Sequence, residues 1–357
     1  MTPVQARPNG TAHQKIAALT GLRGVAIFAV IAGHIVTLHY PRGTSGYWPT
    51  LLLHQPIIGV QVFFALSGFL ITGILAREKA KTGRISLRRF YARRAYRIWP
   101  AFYTYLTVVA VLAAWGVYSA GWKDLTAAAL YVSNYMPVGC ECLSHTWSLA
   151  VEEQFYLLWP LTLVLLSPRW ALRLAFTGIV AAPVWRFWLY HSIGTVPVWH
   201  FETRVDAMLY GAALALALHL YPQSIPAARQ WMSRLRLVPA AVAAILATVM
   251  AGEIGNGDLW HAFANSVVGG AAAVLIFAAT GTTGILVPVL QNRLLVWLGT
   301  ISFSLYLWQQ LFDMPRSPLP LAVGLPLMFL VAAGSYLLVE KPFLKVKDRR
   351  ATLRRQQ

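Results

Sequence analysis

Residues 16–38 read IAALTGLRGVAIFAVIAGHIVTL, and this run decides the fold class. As a helix its 23 residues extend about 34 Å, enough to cross the roughly 30 Å hydrocarbon core of a bilayer. Only Arg23 and His34 interrupt it with ionisable groups. The run is too long for the core of a signal peptide and lacks a convincing cleavage site, so it reads as a retained helix.

Runs of this kind recur along the chain. They place crossings at 16–38, 56–76, 98–118, 146–167, 173–190, 205–221, 238–252, 260–280, 294–312 and 319–339. The expected fold is an all-α, polytopic membrane helix bundle of about ten transmembrane helices. Composition agrees: 57% of the 357 residues are hydrophobic and 12% are charged, against about 25% charged in an average soluble domain. The connectors are short and rich in Pro, Gly and Arg, with no repeat or domain linker. The segment 124–135 is too short and mixed for a crossing and is expected to be interfacial or buried. The domain division is a cytoplasmic segment 1–15, a transmembrane domain 16–340 and a basic cytoplasmic tail 341–357.

A net charge of +18 suggests nucleic acid in a soluble protein. Here topology accounts for it. With both termini cytoplasmic, every Lys and Arg falls on an inner segment except Arg42, Lys123, Arg204 and Arg316 in outer loops and Arg23 and Arg186 within spans. That is the positive-inside pattern, with an anionic inner leaflet as a second attraction for the basic tail. Nucleic acid is therefore not an expected partner, whereas membrane lipid is. The two cysteines, Cys140 and Cys142, lie one residue apart in an outer loop. Neighbours so close form at best a strained disulfide and supply no metal-type cluster, so no metal is expected.

Ionisable groups inside a span are expensive unless paired or facing a cavity, so their depths point to a site. Arg23 and His34 are eleven residues apart, about 16 Å along the axis and three turns, hence on nearly one face. His34 falls roughly 6 Å below the outer end of its span and Glu152 roughly 9 Å below its own. Gln61 and Asp206 lie at similar levels. Such a cluster can tie helices together, or it can be a site. A carboxylate beside an imidazole makes a general base near neutral pH, which points to His34 with Glu152 as catalytic. Gln61 and Asp206 are candidates for substrate contact. At the opposite mouth, Arg93, Arg94 and Arg97 close a basic segment. Arg94 and Arg97 share a helix face and present two guanidinium forks suited to phosphate.

These residues, in this order, resemble the acyltransferase 3 family of membrane acyltransferases. The resemblance begins with Leu19-Thr20-Gly21-Leu22-Arg23-Gly24 and the Arg23 to His34 spacing. It continues through Phe63-Phe64-Ala65-Leu66-Ser67-Gly68-Phe69-Leu70-Ile71-Thr72 and Arg94-Ala95-Tyr96-Arg97-Ile98-Trp99-Pro100. Next comes His145-Thr146-Trp147-Ser148-Leu149-Ala150-Val151-Glu152-Glu153-Gln154-Phe155-Tyr156, closed by Pro160. Arg204-Val205-Asp206, Ser302-Phe303-Ser304-Leu305-Tyr306-Leu307-Trp308 and Glu340-Lys341-Pro342-Phe343 complete it.

The resemblance implies acyl transfer from a cytoplasmic acyl-CoA, most often acetyl-CoA, to a hydroxyl of a glycan or other sugar-containing acceptor at the outer face of a bacterial cytoplasmic (inner) membrane. It makes His34 the catalytic histidine and Arg94 with Arg97 the CoA-binding pair, with Arg23 and Glu152 at further functional positions. Trp147 and Ser148 are candidates for holding the acceptor or the oxyanion. Gln309 departs from the family, whose members often carry His there. The resemblance also implies transfer without the fused hydrolase-like domain of some members. A rival reading, a glycan or lipid transporter or flippase, predicts broken helices in paired positions and an inverted repeat, neither of which the sequence displays.

Overall fold

The computed structural model describes residues 10–41, 44–136, 138–254, 257–281, 284, 286–312 and 319–346. Residues 1–9, Arg42, Arg316 and the tail beyond residue 346 lie outside them. Among the described residues the chain is helical, with no strand.

The main helices in chain order are α1 (Gly10–His39), α2 (Ile57–Thr82), α3 (Leu87–Ala114), α4 (Trp122–Ala129), α5 (Thr146–Leu165), α6 (Pro168–Ile193) and α7 (Val205–Leu220). They are followed by α8 (Ile225–Arg234), α9 (Leu237–Ile254), α10 (Gly257–Ala279), α11 (Arg293–Thr300), α12 (Ser302–Trp308) and α13 (Leu321–Ser335). Six of these regions are long and apolar enough to cross a membrane: Ile16–His39, Ile57–Thr82, Leu87–Ala114, Pro168–Ile193, Ala262–Ala279 and Leu321–Val346. A seventh arises if Val205–Leu220 is joined to Pro222–Arg234, which turns away by 98°. Pro222 lacks the N–H that would carry α7 onward, so the chain bends there.

Local signals set the ends. Gly83 and Gly194 stop α2 and α6 in the left-handed region, each with φ of 71°, where an L side chain is strained. Lys79 donates to the carbonyls of Leu163 (2.6 Å) and Leu166 (2.9 Å), capping α5 at the end where a helix is negative. The expected single crossing at 294–312 is instead broken into α11, α12 and a 3₁₀ turn, Gln309–Leu311. Ser302 causes part of this break, because its hydroxyl donates to the Gly299 carbonyl at 2.9 Å and competes with the helical pattern. The expected third crossing begins earlier than its apolar run, since Leu87 to Arg97 already coil as the first turns of α3. The segment 124–135 contributes only the short α4.

In lipid, helices associate through close packing at small residues rather than through hydrophobic exclusion of water. The α2–α7 crossing depends on this. A Cβ on Gly68 would sit 1.9 Å from the Met208 carbonyl oxygen, and one on Gly211 would sit 1.8 Å from that of Ala65. Many large apolar side chains face outward. Phe176, Val180 and Val184 form an i, i+4 stripe on α6 that is 55–63% exposed, a surface suited to acyl chains and costly in water.

Candidate active site

Two adjoining cavities among the described residues gather most of the polar groups singled out in the sequence. The first, about 240 Å³, is lined by Arg23 of α1, Ser67 of α2, Arg94 and Arg97 of α3, Glu152 and Tyr156 of α5, and Ser302 of α12, among others. Arg23 donates through Nε and Nη2 to Ser302 Oγ at 3.3 and 3.0 Å and sits 5.7 Å from the Phe63 ring. Arg94 stacks on Tyr156, its guanidinium carbon 3.7 Å from the ring centroid, a favourable cation–π contact. Its buried Nε has no hydrogen-bond partner among the described residues. Arg97 lines the same space. Glu152 Oε1 accepts from the hydroxyls of Ser67 and Tyr156, whose own oxygens lie 3.0 Å apart. Buried Glu340, bound by Ser304 at 3.1 Å, adds a second carboxylate within electrostatic reach of Arg97. Buried Glu153, within electrostatic reach of Arg94, is a third carboxylate, so three guanidinium groups face three carboxylates. The two guanidinium forks of Arg94 and Arg97 on one helix face fit a phosphate-bearing ligand.

The second cavity, about 270 Å³, is lined by His34, His145, Trp147, Trp199, Gln310 and neighbours. It shares Val60 and Tyr306 with the first. The partition is tied together: the Tyr306 and Ser148 hydroxyls hydrogen-bond each other at 2.5 Å, and both oxygens lie within reach of the His145 carbonyl, at 3.3 and 3.0 Å. Only a few side chains therefore separate the arginine-lined space from the histidine-lined one.

Of the residues singled out in the sequence, Arg23, Arg94, Arg97 and Glu152 meet in the first cavity, His34 and Trp147 face the second, and Ser148 stands at the partition. Glu152 and His34 line different cavities: Glu152 is bound by Ser67 and Tyr156 and opens on the arginine-lined space, whereas His34 lines the other. Helix rise fixes depth, but rotation about the axis decides which space a side chain enters. Gln61 and Asp206 line neither cavity. Asp206 is fully buried against Arg186 at 2.8 Å, with Ser266 donating to the same carboxylate oxygen at 2.6 Å. Gln61 hydrogen-bonds Asn265, whose side-chain oxygen also receives Arg204 Nη1 at 2.5 Å. Both belong to a network joining α2, α6, α7 and α10.

Sequence reasoning assigned no role to His145, Tyr156, Trp199, Tyr306 or Gln310. His145 lies three residues before Ser148 across an N-terminal turn, a spacing that could have flagged it; Trp199 lies in a connector with no pattern to reveal it. Cys140 and Cys142 are joined in a disulfide beside this region. The Tyr105 hydroxyl donates to the Cys142 carbonyl at 2.5 Å.

A family model described as an acyltransferase domain matches residues 16–340. The chain is 28% identical over 321 residues to peptidoglycan O-acetyltransferase OatA of Listeria monocytogenes, covering 82% of this chain and 48% of that protein. It is 28% identical over 319 residues to O-acetyltransferase OatA of Staphylococcus aureus, covering 81% and 50%. The chain thus spans about half the length of these relatives. No solved structure matches it.

Proposed function

The chain belongs to the acyltransferase 3 family, and from that membership we propose that it is a membrane-bound O-acyltransferase moving an acetyl group from acetyl-CoA to a glycan hydroxyl. The observation that carries this reading is the pair of cavities meeting at Val60 and Tyr306, one rich in guanidinium groups and the other in imidazoles. Arg94 and Arg97, with Arg23, hold the phosphates of CoA, and the thioester reaches the partition. The names of the relatives make peptidoglycan strands the first acceptor to test.

In the proposed reaction the acceptor hydroxyl gives its proton to His34 as its oxygen attacks the thioester carbonyl. The C–S bond then breaks, the ester forms, and the departing thiolate takes the proton back from the imidazolium. Glu152, fixed by Ser67 and Tyr156, sets the shape and charge of the donor cavity rather than orienting His34. The proposed topology counts α5, α7, α9 and the broken 293–311 stretch with the six long apolar helices, giving ten crossings with both termini and the arginine-lined mouth cytoplasmic. The host membrane is then a bacterial cytoplasmic membrane.

The test is thiol release and acetyl transfer by purified protein in nanodiscs with acetyl-CoA and glycan acceptors. Wild type is expected to turn over. His34→Ala should bind acetyl-CoA without transfer, and Arg97→Ala should lose binding. A folded His34→Ala with full activity would refute the base assignment. A wild type that binds no acyl-CoA would refute the acyltransferase reading itself.

A further inference from the structure

A row of aromatic rings leads out of the histidine-lined cavity. Trp147 and Trp199 belong to its lining, their centroids 4.8 Å apart. From Trp199 the row passes to its chain neighbour His200, whose ring stands 4.7 Å from that of Tyr135 on the connector after α4. Neither His200 nor Tyr135 lines the cavity, so the row continues onto the surface beside it. It is open there: Trp199 is 48% exposed and Tyr135 45%.

A carboxylate completes this surface. Glu202 Oε2 accepts from the Tyr135 hydroxyl at 2.7 Å, and Oε1 lies 3.2 Å from His200 Nδ1. The Glu202 and His200 side chains are 42% and 32% exposed, and a carboxylate so exposed faces water rather than hydrocarbon, where it would be expensive. A carboxylate offers about four acceptor sites, and these two contacts leave the others for a ligand. The connector is braced from within. Thr203 Oγ1 donates to the Pro197 carbonyl at 2.8 Å, and Arg186 donates to the Thr203 carbonyl at 2.7 Å. Arg204 donates to the Val198 carbonyl while its guanidinium backs Trp147 and Trp199 at 5.6 and 5.9 Å. A surface held in this way loses little freedom when it binds.

Aromatic faces beside a carboxylate suit a pyranose, whose C–H face lies on the rings while its hydroxyls donate to the charge. The cavity itself, about 270 Å³, is smaller than the roughly 300–1,000 Å³ of pockets that enclose a drug-sized ligand. It therefore takes one sugar unit, and the next unit of a chain must lie outside, where the row continues. We propose that Trp199, His200, Tyr135 and Glu202 form a second saccharide subsite, which binds the unit adjoining the one acylated and makes oligomeric or polymeric glycans better acceptors than single sugars. This rests on the reading of the chain as an O-acyltransferase with a glycan acceptor.

The probes are β-1,4-linked N-acetylglucosamine tetramer and the N-acetylglucosamine monomer, titrated calorimetrically into the full chain in nanodiscs, with acetyl-CoA titrated separately. Wild type is expected to bind the tetramer about tenfold more tightly than the monomer, or better. Glu202→Ala removes the accepting charge, and Tyr135→Ala removes a ring contributed by the other connector. Each is expected to weaken the tetramer about tenfold, the equivalent of one hydrogen bond to a charged group, with the acetyl-CoA Kd and Tm unchanged. Equal affinity of wild type for monomer and tetramer overturns the proposal, as does wild-type tetramer affinity in both variants. So does a joint loss of tetramer, acetyl-CoA and Tm, which marks the cluster as structural. Wild type that binds acetyl-CoA but neither saccharide overturns the subsite alone. Wild type that binds no acetyl-CoA removes the acyltransferase reading beneath it.

Discussion

Replacing Asp206 by Leu separates a structural from a substrate-contacting role for this carboxylate. Arg186 is fully buried and donates to the carbonyls of Ala262 and Thr203 at 2.7 Å each, to Asp206 at 2.8 Å and to Ser266 at 2.7 Å. Removing the carboxylate takes the counter-charge away from a guanidinium that no water reaches. Breaking a buried pair in this way destabilises by about 3–5 kcal/mol, well above the roughly 0.6 kcal/mol average of an interhelical hydrogen bond in a membrane. The double variant Arg186→Met, Asp206→Leu removes both charges and is expected to recover most of that loss, because an apolar replacement of a whole buried pair is often neutral or better. Denaturant unfolding of the purified protein in detergent, run as a double-mutant cycle, measures both quantities. An Asp206→Leu variant within 1 kcal/mol of wild type that has nevertheless lost acceptor binding would refute this reasoning and return Asp206 to the site.

Other outcomes follow from the geometry. Gly68→Ala drives a methyl into the Met208 carbonyl across the α2–α7 crossing; a loss of at least about 2 kcal/mol is expected on unfolding, on the scale of an overpacked core. Arg94→Lys gives up the planar stack on Tyr156 and the Nε donor, so acetyl-CoA should bind about tenfold more weakly despite the conserved charge, as calorimetry would read. Glu152→Gln keeps an acceptor for Ser67 and Tyr156 while deleting a negative charge from the arginine-lined cavity; acetyl-CoA should bind more tightly and with steeper salt dependence. The Cys140–Cys142 bridge closes only a very short loop, so opening it with Cys140→Ser should cost no more than about 2 kcal/mol in a thermal melt.

The arginine pair was legible because it needs only one helix: Arg94 and Arg97 are three apart, helical periodicity puts them on one face, and both line one cavity. The placement of His34 and Glu152 in separate cavities was not, because it depends on two helices. Their depths followed from a fixed rise per residue, yet the rotation of α5 turns Glu152 toward Ser67, Tyr156 and the arginines. Likewise, intramembrane polarity marked Gln61 and Asp206 as notable without distinguishing a helix tie from a ligand contact. That distinction depended on Asn265, Arg186 and Ser266, which come from α6 and α10.

The sequence alone determined an all-helical chain with membrane-length apolar segments, a basic face at one mouth and buried polar groups worth explaining, since hydrophobic length, charge placement and helical period are local properties. The tertiary structure decided that the polar groups divide into an arginine-lined cavity, a histidine-lined cavity and a structural network. It also broke the 294–312 stretch and brought His145, Trp199 and Gln310 together. These outcomes are set by helix rotation and by backbone approach at residues such as Gly68 and Gly211, and no single segment encodes how its neighbours will meet it.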